Sequence, residues 1–169
     1  FGMATVMLNL ANAGLYEING MVLGLGFFHG GFAQLIAGYF EIKKGHTFSA
    51  TTFLSSTAFW FSFVTMTLCP NFLGCNETDN IALGTFNLFW GIFTALMLVA
   101  VIKNGHITNI LLLTALVVNF FMISIGLYSN FAILVKVGGV FGVISGIIGI
   151  YNGCADIING EYGKYILPL

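Results

Sequence analysis

The sequence predicts an all-α integral membrane protein, a bundle of six transmembrane helices embedded in a lipid bilayer. Its 169 residues are 58% hydrophobic and only 7% charged, whereas a soluble domain carries roughly 25% charged residues. So little charge cannot cover a water-facing surface, and most of the surface must therefore face lipid. Apolar runs of roughly 20 residues, the length that crosses a bilayer as a helix, recur along the whole chain.

The apolar runs define the expected elements in order. We predict a single domain over residues 1–169, with spans at 1–16, 20–41, 48–69, 81–102, 107–128 and 131–158. A membrane β-barrel is disfavoured because the runs are about twice the length of a barrel strand and do not alternate. The chain begins at Phe1, so we expect residues to precede it, and the first run lacks the charged start and cleavage site of a signal peptide.

The lysines set the expected orientation. Lys43, Lys44, Lys103 and Lys164 all fall on one side of a six-span chain, and the positive-inside rule places that side and both termini in the cytoplasm. Lys136 is the exception, and it either extends to the outer interface or faces a pore. The net charge of −1 without a basic face argues against a nucleic-acid partner.

The cysteines and histidines do not form a metal pattern. Cys69 and Cys75 flank Pro70 in a predicted loop; a disulfide would require an extracytoplasmic loop, and we expect two free thiols. Cys154 lies in the last helix. The three histidines sit on separate segments without ligand spacing, and we find neither a phosphate loop nor Ser–His–Asp logic. We therefore expect no metal, no cofactor and no enzymatic activity.

Glycines recur at helical spacing in the last segment. Gly138, Gly142 and Gly146 stand at every fourth position, and Gly149 and Gly153 continue the stripe one residue out of phase. Small residues allow helix backbones to approach closely in lipid, where little hydrophobic force acts between helices. The stripe predicts close helix packing, either within one protomer or between protomers.

Polar side chains inside the apolar segments form thin stripes. A polar group in hydrocarbon is costly unless it has a partner, so each is a functional candidate. The stripe residues are Phe1, Thr5, Asn9 and Asn12 on the first segment, Gln34 on the second, and Thr52 and Ser56 on the third. We expect Asn9 and Gln34 to line a narrow aqueous path. For Asn87 and Asn119 we prefer interhelical hydrogen bonding.

Two titratable residues of the second segment have alternative interpretations. His29 stands just before two glycines, where a structural or path-lining role is a better explanation than metal binding. Glu41 lies at the cytoplasmic end beside Lys43 and Lys44. It is either a membrane-edge charge paired locally or a carboxyl that carries a proton or gates the path.

Four stretches resemble a known family. NLANAG at 9–14, GGFAQLIAGYFEIKKGHTFSATTF at 30–53, FW at 59–60 and FWGIFT at 89–94 are similar to the acetate uptake transporter family, also called succinate–acetate permeases. The resemblance spans all six segments. It implies a six-helix protein of the inner or plasma membrane that assembles as a ring-shaped homohexamer. It also implies that each protomer passes acetate, and in some members succinate, either as a channel or with protons.

The resemblance also implies a waist formed by a Phe, a Tyr and a Leu. Phe1 matches the first position, and Leu116 matches the third, or Ala115 if the preceding loop is aligned without an insertion. Ser56 stands where the Tyr is expected, and His29 stands where family members often have Tyr. Ser56 therefore predicts a wider or more polar waist and a less strict selectivity for acetate.

The expected function is a membrane channel or transporter for acetate and related small carboxylates. Glu41 and His29 are the proton or gating candidates. The alternative is a pore for a small neutral solute such as urea or a short amide. A membrane-embedded enzyme or sensor would need ionisable groups converging at one depth, and Glu41 and Asp156 have no third partner in the sequence.

Overall fold

The computed structural model describes residues 1–72, 74–103 and 106–169. Within these ranges it contains no strand and has six helices: α1 (Gly2–Asn12), α2 (Gly20–Lys43), α3 (Thr47–Phe72), α4 (Asn80–Ile102), α5 (Ile107–Tyr128) and α6 (Ala132–Tyr162). Helices α2 to α6 are long and apolar enough to cross a membrane. The all-α membrane class is thus confirmed, while α1 has only 11 residues.

The first two helices are separated by a short, well-bonded turn. Helix α1 ends at Asn12 because Gly14 adopts a positive φ of 93°, a conformation that glycine enters without steric cost. The hydroxyl of Tyr16 donates to the main-chain oxygen of Met7 at 2.7 Å, which holds the turn against α1. Asn19 then begins α2, because its side-chain oxygen accepts from the main-chain nitrogen of Met21 at 3.0 Å.

Helix α2 contains a π-helical stretch at Gly26–Ala33, with α-helix on both sides. A π-helix bonds residue i to i+5 and turns by about 80° per residue, so residues four apart stay on one face. The indole of Trp60 fills this face: a Cβ on Gly30 would lie 2.5 Å from Trp60 Cγ. Thr57 Oγ1 donates to the main-chain oxygen of Gly31 at 3.2 Å. The stretch therefore joins α2 tightly to α3.

The far end of α3 carries a disulfide. The helix continues through Cys69 and Pro70 to Phe72, and Cys69 is bonded to Cys75 with their Cα atoms 5.5 Å apart. The prediction of two free thiols in a loop is wrong, because the end of the helix and the segment after it bring both residues within bonding reach. Cys154 is free and exposed.

The helices form a ring around an interior space. Helix α4 packs on α5, α5 on α6, α6 on α1, α1 on the π-helical stretch of α2, and α2 on α3. Aromatic contacts connect α3 to α4: the ring centroid of Phe59 lies 5.5 Å from that of Phe86 and 5.4 Å from that of Trp90. The interior is consequently bordered by aromatic side chains on one side and by close-packed backbones on the other.

The glycine stripe of α6 receives α1. A Cβ on Gly142 would overlap the side chain of Asn9, and a Cβ on Gly146 would lie 2.6 Å from Val6 Cγ2. A Cβ on Gly149 would lie 2.9 Å from Cδ1 of Phe1. Of the two explanations for the stripe, packing within one protomer accounts for these glycines.

Candidate functional site

A cavity of about 460 Å³ occupies the middle of the ring and is bordered by all six helices. The eight side chains that the sequence proposed for the path or for substrate binding all line it: Phe1, Thr5, Asn9, Asn12, Gln34, Thr52, Ser56 and Leu116. Asn87 and Asn119 line it as well. Much of the remaining wall is aromatic, from Phe48, Phe53, Phe59, Trp60, Trp90, Phe93 and Phe120. The cavity is therefore apolar in its walls, with a few amides and hydroxyls at defined positions, as is typical of a small-molecule site.

The cavity is deeper toward one end of the bundle. Its lining includes Ser49 and Asn109, each the third residue of its helix, at the end that carries Lys43, Lys103 and Lys164. In α4, the lining residue nearest the opposite end is Asn87, seven residues after the helix begins. At 1.5 Å per residue, the cavity stops about 10 Å short of that end.

Three asparagines of the cavity lining are joined by hydrogen bonds. Asn119 Nδ2 donates to Asn9 Oδ1 and to the main-chain oxygen of Gly138, both at 2.8 Å. Asn12 Nδ2 donates to the same Asn9 oxygen at 3.1 Å, and Asn9 Nδ2 donates to the main-chain oxygen of Thr5 at 2.9 Å. This asparagine network, Asn9, Asn12 and Asn119, connects α1, α5 and α6. The interhelical bond expected of Asn119 is present, but Asn87, for which the same was expected, donates to the main-chain oxygen of Leu83 in its own helix at 2.8 Å. Path lining by Asn9 stays a prediction.

Gln34 reaches the cavity from the end of the π-helical stretch. Its Nε2 donates to the main-chain oxygen of Gly30 at 2.9 Å, and the side chain is buried. Among the described residues, the side-chain oxygen Oε1 of Gln34 has no hydrogen-bond partner. Thr52 Oγ1 donates to the main-chain oxygen of Phe48 at 2.9 Å. Both residues therefore combine a fixed geometry with free hydrogen-bonding capacity.

The three waist positions all border the cavity. The ring of Phe1 packs on Gly149, and Ser56 lines the cavity from α3. Leu116 lines the cavity, whereas Ala115 is buried elsewhere and does not. That these residues form a constriction stays a prediction.

The two proton or gating candidates lie outside the cavity lining. His29 is exposed on the outside of α2. Glu41 binds Lys44 Nζ at 3.0 Å and His46 Nδ1 at 2.8 Å, as expected of a locally paired charge. Lys136 lies over Gly14, where a Cβ would meet its Cε at 3.2 Å, and it does not line the cavity either.

Several lining residues were not selected from the sequence. Asn152 Nδ2 donates to Asn109 Oδ1 at 2.8 Å at the deep end, and Asp156 lines the cavity one turn beyond Asn152. Both asparagines are amides in or next to apolar segments, the criterion that selected Asn9 and Gln34. Trp60 and Trp90 border the cavity as well. In the sequence they stood out only as parts of the two stretches, FW at 59–60 and FWGIFT at 89–94, that resemble the family.

Comparison with known proteins identifies the family. A model of the GPR1/FUN34/yaaH family matches residues 1–168. The succinate-acetate/proton symporter SatP of Escherichia coli (strain K12) is 35% identical over 170 residues, covering 100% of this chain and 89% of that protein. An uncharacterized protein of Methanothermobacter thermautotrophicus is 38% identical over 175 residues, covering 99% of this chain and 85% of that one.

The fold gives the same result. A solved structure of the bacterial acetate channel SatP superposes with a TM-score of 0.97 at 34% identity, covering 100% of this chain and 93% of that one. The resemblance to acetate uptake transporters, stated above on four short stretches, is confirmed over the whole chain. The protein belongs to the GPR1/FUN34/yaaH family.

Proposed function

We propose that this protein is a membrane channel or transporter that passes acetate, and other small carboxylates such as succinate, through the cavity within each protomer. One observation carries the proposal: a cavity lined by amides, hydroxyls and aromatic rings from all six helices, in a relative of proteins named as a succinate-acetate/proton symporter and an acetate channel. We propose that the protein has no catalytic activity.

The lining suits transport better than tight binding. Among the described lining residues there is no Lys, Arg or His side chain, so a carboxylate would be held by amide N–H and hydroxyl groups alone. A permeating solute must leave as readily as it enters, and weak, distributed binding permits this. The aromatic walls favour the methyl or methylene groups of small organic acids.

We propose that residues 1–169 form one domain with six membrane-embedded helices. Helix α1 is only about 16 Å long at 1.5 Å per residue, which is too short to span alone. It packs along the glycines of α6, and its residues Ala4 and Leu8 are buried. Helix α1 is therefore held in the membrane by its packing in the bundle, because it is too short to span the bilayer by itself.

We propose an inner or plasma membrane location with both termini in the cytoplasm. The lysine distribution supports this orientation. The disulfide between Cys69 and Cys75 supports it independently, because it lies at the end of α3 opposite Lys43 and Lys44, and disulfides persist in oxidising compartments. We further propose a homohexamer, as the family resemblance implies.

Uptake into proteoliposomes tests the function. We expect purified protein to raise the initial rate of labelled acetate uptake above that of protein-free vesicles, and excess unlabelled succinate to lower it. If acetate, formate and succinate all enter no faster than in protein-free vesicles, the proposal is refuted.

The absence of a cationic side chain from the described lining also fits a neutral solute. Stopped-flow swelling in urea and in formamide separates the two functions. Fast urea or formamide entry without carboxylate transport would establish the neutral-solute pore instead.

A further inference from the structure

Asp156 has the one ionisable side chain among the described residues that line the cavity. It lies near the cytoplasmic end of α6 and is exposed. The cavity reaches the first turns of α3 and α5 at this end, through Ser49 and Asn109. Water and protons can therefore reach this carboxyl from the side to which the cavity extends.

The helix turn before Asp156 offers an unused acceptor. Asn152 lies four residues earlier, on the same face of the helix. Its Nδ2 donates to Asn109 Oδ1 at 2.8 Å, and its Oδ1 is buried with no hydrogen-bond partner among the described residues. An undissociated carboxylic acid brings an O–H donor, whereas a carboxylate brings only acceptors. This end of the cavity thus matches the protonated form of a carboxyl group.

Among the described residues, no cationic side chain forms an ion pair with Asp156. The ion pairs of the described residues both involve Glu41. Within the part of the chain that the structure describes, the other charged or titratable side chains on the surrounding elements form no ion pair with Asp156: His46 before α3, Lys103 after α4, His106 before α5, Tyr151, Glu161 and Tyr162 on α6, and Lys164 and Tyr165 after it. An ionised Asp156 therefore presents an unpaired negative charge to an entering anion, and like charges at a shared site repel.

We propose that Asp156, with Asn152 beside it, is the proton-binding group of the transport path. This inference rests on the proposed carboxylate transport. The carboxylate of Asp156 takes one proton from water, becomes neutral and can then donate its O–H to an oxygen of an entering acetate ion. The proton and the anion leave together as acetic acid, which restores the carboxylate. One proton accompanies one monocarboxylate, and no net charge crosses the membrane.

The test is acetate exchange and proton movement in the same proteoliposomes. We compare the wild type with Asp156→Asn, with Asp156→Glu as the conservative variant and with Glu161→Gln as the matched control. Glu161 is a nearby acid of α6 that does not line the cavity. Initial rates are taken above protein-free vesicles, and an enclosed pH dye reports proton entry.

We expect wild-type exchange to fall severalfold as the pH is raised, because one proton must be bound for each acetate that exchanges. Asp156→Asn should exchange acetate with a nearly flat pH profile and without proton entry. Asp156→Glu should keep proton entry with a shifted pH profile, and Glu161→Gln should behave as the wild type. An Asp156→Asn protein that keeps the wild-type profile and proton entry overturns the inference.

Two further results complete the test. A wild type that moves no carboxylate refutes the proposed function itself, so the two failures are distinguishable. If Asp156→Asn does not yield a folded protein on size exclusion, Asp156→Glu decides. A shifted pH profile with proton entry retained supports the proposal, and an unchanged profile overturns it.

Discussion

The packing of Asn9 against Gly142 yields a quantitative prediction. A Cβ on Gly142 would overlap the Asn9 side chain, so Gly142→Ala must displace Asn9 from the asparagine network. This removes its bonds with Asn119 and Asn12, each worth about 0.6–1 kcal/mol, and leaves a buried Asn119 N–H unpaired, at about 1–3 kcal/mol. The better helix propensity of Ala returns up to about 1 kcal/mol. We expect a net loss of about 1–4 kcal/mol in the free energy of unfolding.

Unfolding of the purified protein in detergent, followed by circular dichroism, measures the loss. Gly24→Ala is the matched control, because a Cβ on Gly24 meets nothing within 4 Å, and it should be neutral or slightly stabilising. Truncating Asn9, the side chain that a Cβ on Gly142 would overlap, should make Gly142→Ala acceptable. In an Asn9→Ala background, Gly142→Ala should lower the free energy of unfolding by less than about 0.5 kcal/mol. The reasoning fails if Gly142→Ala costs the same in both backgrounds or is as benign as Gly24→Ala.

Three further predictions follow from the cavity and from the disulfide. Gln34→Ala should reduce acetate uptake severalfold while assembly is kept, because it removes an amide from the lining; Leu35→Ala, on the exposed side of α2, is the control, and unchanged uptake would assign Gln34 to packing alone. Ser56→Tyr should narrow the cavity and lower succinate uptake by roughly tenfold more than acetate uptake, about 1.4 kcal/mol of barrier; equal loss of both would place Ser56 away from the constriction. Cys69→Ser should lower the free energy of unfolding by about 2 kcal/mol, because it releases the loop that the disulfide closes. Dithiothreitol should destabilise the wild type by the same amount and leave the variant unchanged. Equal stability of wild type and variant without dithiothreitol would show that Cys69 and Cys75 are not bonded.

The helices were predictable because lipid leaves few choices to a chain of this composition. Backbone groups in hydrocarbon must bond within their own segment, so each long apolar run becomes a helix. The polar stripes were equally informative. Thr5, Gln34, Thr52 and Ser56 avoid lipid by turning inward, and side chains from separate helices that turn inward reach the same cavity.

Long-range pairing could not be predicted in the same way. Asn9 and Asn119 are 110 residues apart, and periodicity gives the face of each helix but not the depth at which two faces meet. The disulfide depended on how far α3 continues beyond Pro70. Asp156 looked like one more charge near a helix end, because its place in the lining depends on how deep the cavity extends.

The π-helical stretch of α2 should accept substitutions on its outer face but not the deletion of a residue. Phe28, His29 and Phe32 are exposed on its outside, and apolar substitutions there should be neutral. Deleting any one of them and returning the stretch to α-helix would rotate everything beyond it by about 60°, because seven α-helical residues turn by about 700° where the eight π-helical residues turn by about 640°. Gln34 would leave the cavity, and Gly38 would leave the side chain of Leu54 on which it packs. At these positions a missing residue should be far more harmful than a changed one.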